Sequence, residues 1–184
     1  MAALSADAKF LGDRNVPSLS YAFLIPKFDS IFENGERLYT GGFFLDGRAF
    51  SLSEQAKGPF LNPIEMQMAS PLEVVNSVKE NREYTKAFYD IYKLNDSSST
   101  EEYFEAIANA ISTFEQDSSF APFDSKYDRS LVGDYTFTKE EERGLELFKD
   151  ESKANCAACH PIDNKQTLFT DFTYDIQVFL KTHI

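Results

Sequence analysis

Tryptophan is absent from this 184-residue chain, and cysteine and histidine occur only twice each. Two cysteines set three residues apart exclude a disulfide framework for a chain of this size, so their role is local. No apolar run approaches the roughly 20 residues that a membrane helix needs. The opening Met-Ala-Ala-Leu-Ser-Ala-Asp lacks the basic and hydrophobic regions of a signal peptide, so no export signal is visible in this stretch. Basic residues are also in deficit. A net charge of -12 argues against nucleic acid, because affinity for a phosphate backbone rests on Lys and Arg. What the chain does have is 42% apolar residues, enough at this length to bury a core in one domain or two small ones.

Residues 1–69 are rich in Gly, Pro, Phe and polar turn residues and show little helical period. They read as extended segments and loops packed by aromatics, with room for short helices. The texture changes at Ser70, which can cap a helix: Pro71 suits the first turn, Glu73 follows at the third position, and Leu72, Val75 and Val78 would share one face. A second helical run covers Tyr84 to Lys93 and ends in Asn95-Asp-Ser-Ser-Ser. Ser99 and Glu102 then form a capping box for a third helix, whose Tyr103, Phe104, Ile107, Ile111 and Phe114 recur at helical spacing as a core stripe. Residues 117–135 read as a loop. Thr138 and Glu141 repeat the capping-box pattern ahead of Leu145 and Phe148, and this last helix leads into the cysteines.

Cys156-Ala-Ala-Cys159-His160 has the spacing at which two thiols reach the two vinyl groups of one haem while the adjacent histidine lies under the iron. Three other readings compete: a thioredoxin-like redox pair, half of a zinc site, and a chance pentapeptide. The first calls for a strand-helix setting. The second needs four ligands, and the remaining histidine is His183 at the far C-terminus. Covalent haem c, one per chain, with His160 on the iron, is therefore the favoured reading. The sixth ligand decides between electron carriage and peroxide chemistry, and the motif leaves that choice open.

Blocks along nearly the whole chain resemble the bacterial di-haem cytochrome c peroxidases and the related MauG-type methylamine-utilisation proteins. They are Arg14-Asn-Val-Pro-Ser-Leu19, Asp46-Gly-Arg-Ala49, Glu54-Gln-Ala-Lys-Gly-Pro59, Asn62-Pro-Ile-Glu-Met66, Arg143-Gly-Leu-Glu-Leu-Phe148 and Leu168-Phe-Thr-Asp171. The resemblance implies a mostly α, cytochrome c-like di-haem peroxidase fold, and reduction of hydrogen peroxide with electrons passed from one haem to the other. MauG-type members use the same pair to oxidise a partner protein. Within it, Gln55 and Glu65 match the polar groups above the peroxide-binding haem, Glu65 as acid and base, and Pro59 matches a proline lining that pocket. Asn15 matches an asparagine that helps bind calcium. Arg48 reads as half of a structural ion pair in preference to a haem-propionate ligand. A small redox protein as electron donor and a periplasmic location are also implied.

The departures from the family shape the remaining expectations. The family's first Cys-x-x-Cys-His is expected before Arg14 and is not found in the thirteen residues there. Leu45 stands where many relatives place a tryptophan between the haems. The fold is thus expected to be incomplete, with a remnant of the first haem domain over 1–130 and a truncated cytochrome c-like domain over 131–184. The final stretch, Asp175 to Ile184, departs from the family's Gly-Val-Pro-Lys-Asn-Pro continuation, and codons allowed for Gln177 through His183 can encode that continuation in another frame. A frame-shifted or incompletely assembled gene is the expectation, with weak or no peroxide turnover by this polypeptide alone. The alternatives are a mono-haem electron-transfer cytochrome and a non-functional gene fragment.

Overall fold

The computed structural model describes residues 2–33, 35–162 and 165–174. The helices start where local chemistry directs. Strands β1 (Ala2–Leu4) and β2 (Leu11–Asn15) pair antiparallel, as do β3 (Asp29–Glu33) and β4 (Glu36–Thr40). Six α-helices follow among the described residues: α1 (Leu52–Leu61), α2 (Pro71–Lys79), α3 (Arg82–Tyr92), α4 (Thr100–Phe114), α5 (Lys126–Leu131) and α6 (Lys139–Lys149). The expected mostly helical class is thereby met. The hairpins give form to the extended N-terminal reading, and α1 is its one α-helix.

Each long helix begins at a side chain that satisfies a free backbone N–H. Ser70 caps α2, and the Ser99–Glu102 and Thr138–Glu141 boxes form at the starts of α4 and α6. A further capping box, Ser125 with Asp128, starts α5 inside the stretch read as loop. That helix is only six residues long, too short for a hydrophobic period to show.

The chain divides into two compact units. The first comprises residues 1–28 and 41–120, the second 29–40 and 121–184. In the first unit, α4 packs on α1 and α2, and Val74, Val75, Leu94, Tyr103, Phe104, Ala106 and Ile107 form the core. Two stripe expectations are corrected. Leu72 is 51% exposed while Val74 is buried, because Pro71 begins the helix and the buried face passes through positions 74, 75 and 78. Phe114 is 64% exposed, and Glu115 takes the buried position at the end of α4, where the 104–107–111 stripe continues at four-residue spacing. A second core of Ala22, Phe43, Ala49 and Leu52 lies at the start of α1. In the second unit, β4 is tied to the segment after the cysteines: Tyr174 N–H donates to Tyr39 C=O at 2.9 Å, and Thr40 pairs with Thr173.

Candidate functional site

The residues singled out in the first unit converge on one cavity of about 870 Å³. Its wall includes Asn15, Leu45, Gln55, Pro59, Glu65 and Glu115. Ser51 caps α1 by accepting from the Glu54 N–H, and the helix then carries Gln55 and Pro59 four residues apart, on one face. Pro59 has no N–H to offer the Gln55 carbonyl, so one helical bond is missing beside the cavity. Gly58 lets the helix approach Phe44 closely, since a Cβ there would lie 2.7 Å from the ring.

The turn after α1 fixes Glu65. Its N–H donates to Asn62 C=O at 3.1 Å, its C=O accepts from Ala6 N–H at 2.6 Å, and Met66 N–H returns to Pro59 C=O at 3.1 Å. The Asn62 side chain accepts from Ile64 N–H at 3.0 Å. Five residues thus hold one glutamate against the cavity from both chain directions. Gln55, Pro59 and Glu65 are all half-buried.

A charged cluster borders the same space. Asp46 accepts from Arg14 at 2.8 Å and from Arg48 at 2.8 Å, and the Arg48 guanidinium stacks 3.6 Å from the Phe44 ring centroid. Burial pushes the Asp46 carboxyl up, but the hydrogen bonds from Arg48 and Arg14 outweigh it and hold it below the usual carboxylate range. Arg48 is thus engaged in an ion pair. Asn15 is exposed at the end of β2, and among the described residues no cluster of three or more His, Cys, Asp or Glu side chains is placed to hold a metal ion.

The cysteine motif lies in the second unit, immediately after α6. Asp150 caps that helix and accepts from Asn155 N–H at 3.1 Å, and Asn155 adopts a left-handed backbone (φ 49°) that turns the chain into a 3-10 turn over Cys156–Ala158. His160 N–H closes it on Cys156 C=O at 2.9 Å. Both thiols are free, Cys156 half-buried and Cys159 exposed. The His160 ring is exposed, with Nδ1 at 2.8 Å from Phe169 C=O and the Phe148 ring at 6.4 Å. A carbonyl can only accept, so Nδ1 carries a proton, and Nε2 is the nitrogen that the neutral ring would offer to a metal. Free thiols and an oriented imidazole fit a covalently attached haem. His183 lies outside the described residues, as does the whole 175–184 segment.

Sequence reasoning missed Glu115 as a cavity residue. The signal was there: an acid at the next position of a buried helical stripe.

Comparison with known proteins places this geometry. The sequence profile of the di-haem cytochrome c peroxidase family matches residues 3–136. The methylamine utilization protein MauG of Paracoccus denitrificans is 38% identical over 173 residues, covering 91% of this chain and 43% of that protein. Cytochrome c551 peroxidase of Pseudomonas aeruginosa is 31% identical over 150 residues, covering 81% of this chain and 36% of that protein. Among solved structures, the diheme peroxidase BthA of Burkholderia thailandensis superposes with a TM-score of 0.83 at 30% identity, over 94% of this chain and 42% of that one. The chain therefore spans less than half the length of these relatives. With the profile matched over most of its length and the cavity residues in place, the chain belongs to the di-haem cytochrome c peroxidase family.

Proposed function

We propose that this chain supplies the peroxide-side wall and the electron-relay haem site of a hydrogen peroxide-reducing enzyme. The observation that carries the reading is the cavity on which Gln55, Pro59 and Glu65 meet. Cleaving the O–O bond heterolytically needs a group that takes a proton from one oxygen and returns it to the other. The Glu65 carboxylate, held in place through its own backbone, is that group. The Gln55 amide orients the peroxide by hydrogen bonding, and Pro59 walls the pocket without competing as a donor.

Cys156 and Cys159 would hold one haem c by thioether bonds, and His160 Nε2 would ligate its iron. Such a group supplies one-electron transfer. The Phe169 carbonyl fixes the imidazole ring and raises its basicity as a ligand. In this reading the unit of residues 1–28 and 41–120 is the peroxide side, and the unit of residues 29–40 and 121–184 is the cytochrome c-like side. Asn15 contributes to a calcium site, a small redox protein donates the electrons, and the periplasm is the location, since there the thiols meet the haem-attachment machinery. Among the described residues no helix is long and apolar enough to cross a membrane.

Steady-state peroxide reduction by the haem-loaded gene product, with and without hemin added as a second haem, tests the proposal. Glu65→Gln is expected to lower the rate by about 10²–10⁴-fold, the usual worth of a positioned acid-base group. A Glu65→Gln variant as fast as the parent overturns the role of Glu65. A six-coordinate, low-spin haem that ignores peroxide under both conditions overturns the enzyme reading in favour of the mono-haem electron carrier.

A further inference from the structure

Glu115 is 7% exposed, lines the same cavity as Glu65 and Gln55, and has no hydrogen bond or ion pair on its carboxylate among the described residues. A carboxylate with so little exposure and no partner favours its neutral form more than one in open water does. The charges nearby along the fold are committed elsewhere. On α1, Lys57 pairs with Glu105, and Glu54 accepts from Phe50 N–H at 2.7 Å. On α2, Glu73 accepts from Ala69 N–H at 2.5 Å, and the Lys79 ammonium sits 3.8 Å from the Tyr103 ring centroid. Of the other charged groups on the cavity wall, Arg14 and Arg48 are bound to Asp46, which leaves Glu65 as the titratable group that shares the cavity unpaired. Burial alone pushes the Glu115 carboxyl above the usual glutamate range.

The proton balance of the reaction calls for such a group. Each hydrogen peroxide accepts two electrons from the redox donor and two protons, and leaves as two waters. Glu65 moves one proton from one oxygen to the other and so adds none, which means that both protons must enter the cavity from elsewhere. A cavity of about 870 Å³ has room for water as well as substrate, given that a water occupies about 30 Å³. We propose that Glu115 is a second proton-carrying carboxyl of the cavity, a positioning residue that delivers protons through cavity water and is reprotonated from solvent.

This inference rests on the peroxide-reducing reading, so its test separates the two. Carboxyl titration by NMR of the chain labelled with ¹³C-glutamate needs neither haem nor peroxide. It is expected to show one glutamate titrating above the others, and that resonance is lost in Glu115→Gln. Peroxide reduction by the haem-loaded product with added hemin is then compared across pH. Glu115→Gln is expected to slow turnover most on the alkaline side, where free protons are scarce, with Glu115→Asp recovering part of the loss and both variants melting no earlier than the parent. An ordinary titration for Glu115, or an unchanged pH profile in Glu115→Gln beside a parent that does reduce peroxide, overturns the proposal. A raised Glu115 titration in a protein inert to peroxide overturns the proton-delivery role together with the enzyme reading, and the loss is then traced to the latter.

Discussion

The Nδ1 atom of His160 lies 2.8 Å from the carbonyl oxygen of Phe169, nine residues on in the chain. That single contact fixes the tautomer of the one described histidine and aims its other nitrogen outward. Phe169 is itself held, with its ring edge-on to Tyr127 at 5.4 Å and to Phe148 at 6.1 Å. An aromatic cluster from α5, α6 and the closing segment thus positions, indirectly, the imidazole proposed as an iron ligand.

Removing that support tests the arrangement. Phe169→Ala should keep both thioether bonds but loosen the carbonyl that orients the imidazole. Loss of such an outer partner typically weakens metal ligation by about 10–100-fold. The expected result is full covalent haem with a mixed-coordination absorption and paramagnetic resonance spectrum, whereas a single spectrum identical to the parent's would show that the cluster is dispensable.

The corrected stripe on α4 makes a paired prediction. Phe104→Ala empties a buried site and should cost about 3–5 kcal/mol. Phe114 is 64% exposed and keeps one edge contact with Phe120 at 5.2 Å, so Phe114→Ala should cost roughly 1 kcal/mol, the worth of an aromatic pair. Urea unfolding monitored by circular dichroism measures both, and equal losses would restore Phe114 to the core.

How far the sequence showed this fold depended on the range of the forces involved. Capping at Ser70, Ser99 and Thr138 was legible because each cap involves residues three apart. The Ser125–Asp128 box on α5 was equally local but lay in a stretch that Pro122 and Gly133 marked as loop. The two hairpins, with strands of three to five residues, were too short to show an alternating pattern. The step from Phe114 to Glu115 is subtler. Hydropathy chose the phenylalanine, whereas helical geometry put the acid inward, toward the cavity. The resemblance brought out Gln55, Pro59 and Glu65; local pattern alone reads Gln55 as a helix-surface amide and Glu65 as a solvated loop carboxylate.

Acid stability should report on the second unit. Glu141 accepts from Lys126 at 2.5 Å, from Thr138 N–H at 2.9 Å and from Tyr135 at 3.0 Å, and these bonds hold its carboxyl down from 4.5 to about 2. A carboxyl whose value falls on folding stabilises the folded state fully above its unfolded value and progressively less below it. Its contribution is therefore complete above pH 4.5 and fades as pH falls towards 2. Glu141→Gln should flatten that part of the stability-pH curve in chemical denaturation, and a curve parallel to the parent's across the same window would contradict the role given to these bonds.

Cys156, Cys159 and His160 are proposed to hold one haem covalently. Pyridine haemochrome stoichiometry on the chain, coexpressed with the c-type haem maturation machinery and then denatured, tests this attachment most directly. One haem per chain is expected to survive denaturation and to be lost in the Cys156→Ser, Cys159→Ser double variant. No bound haem in the parent under those conditions would contradict it.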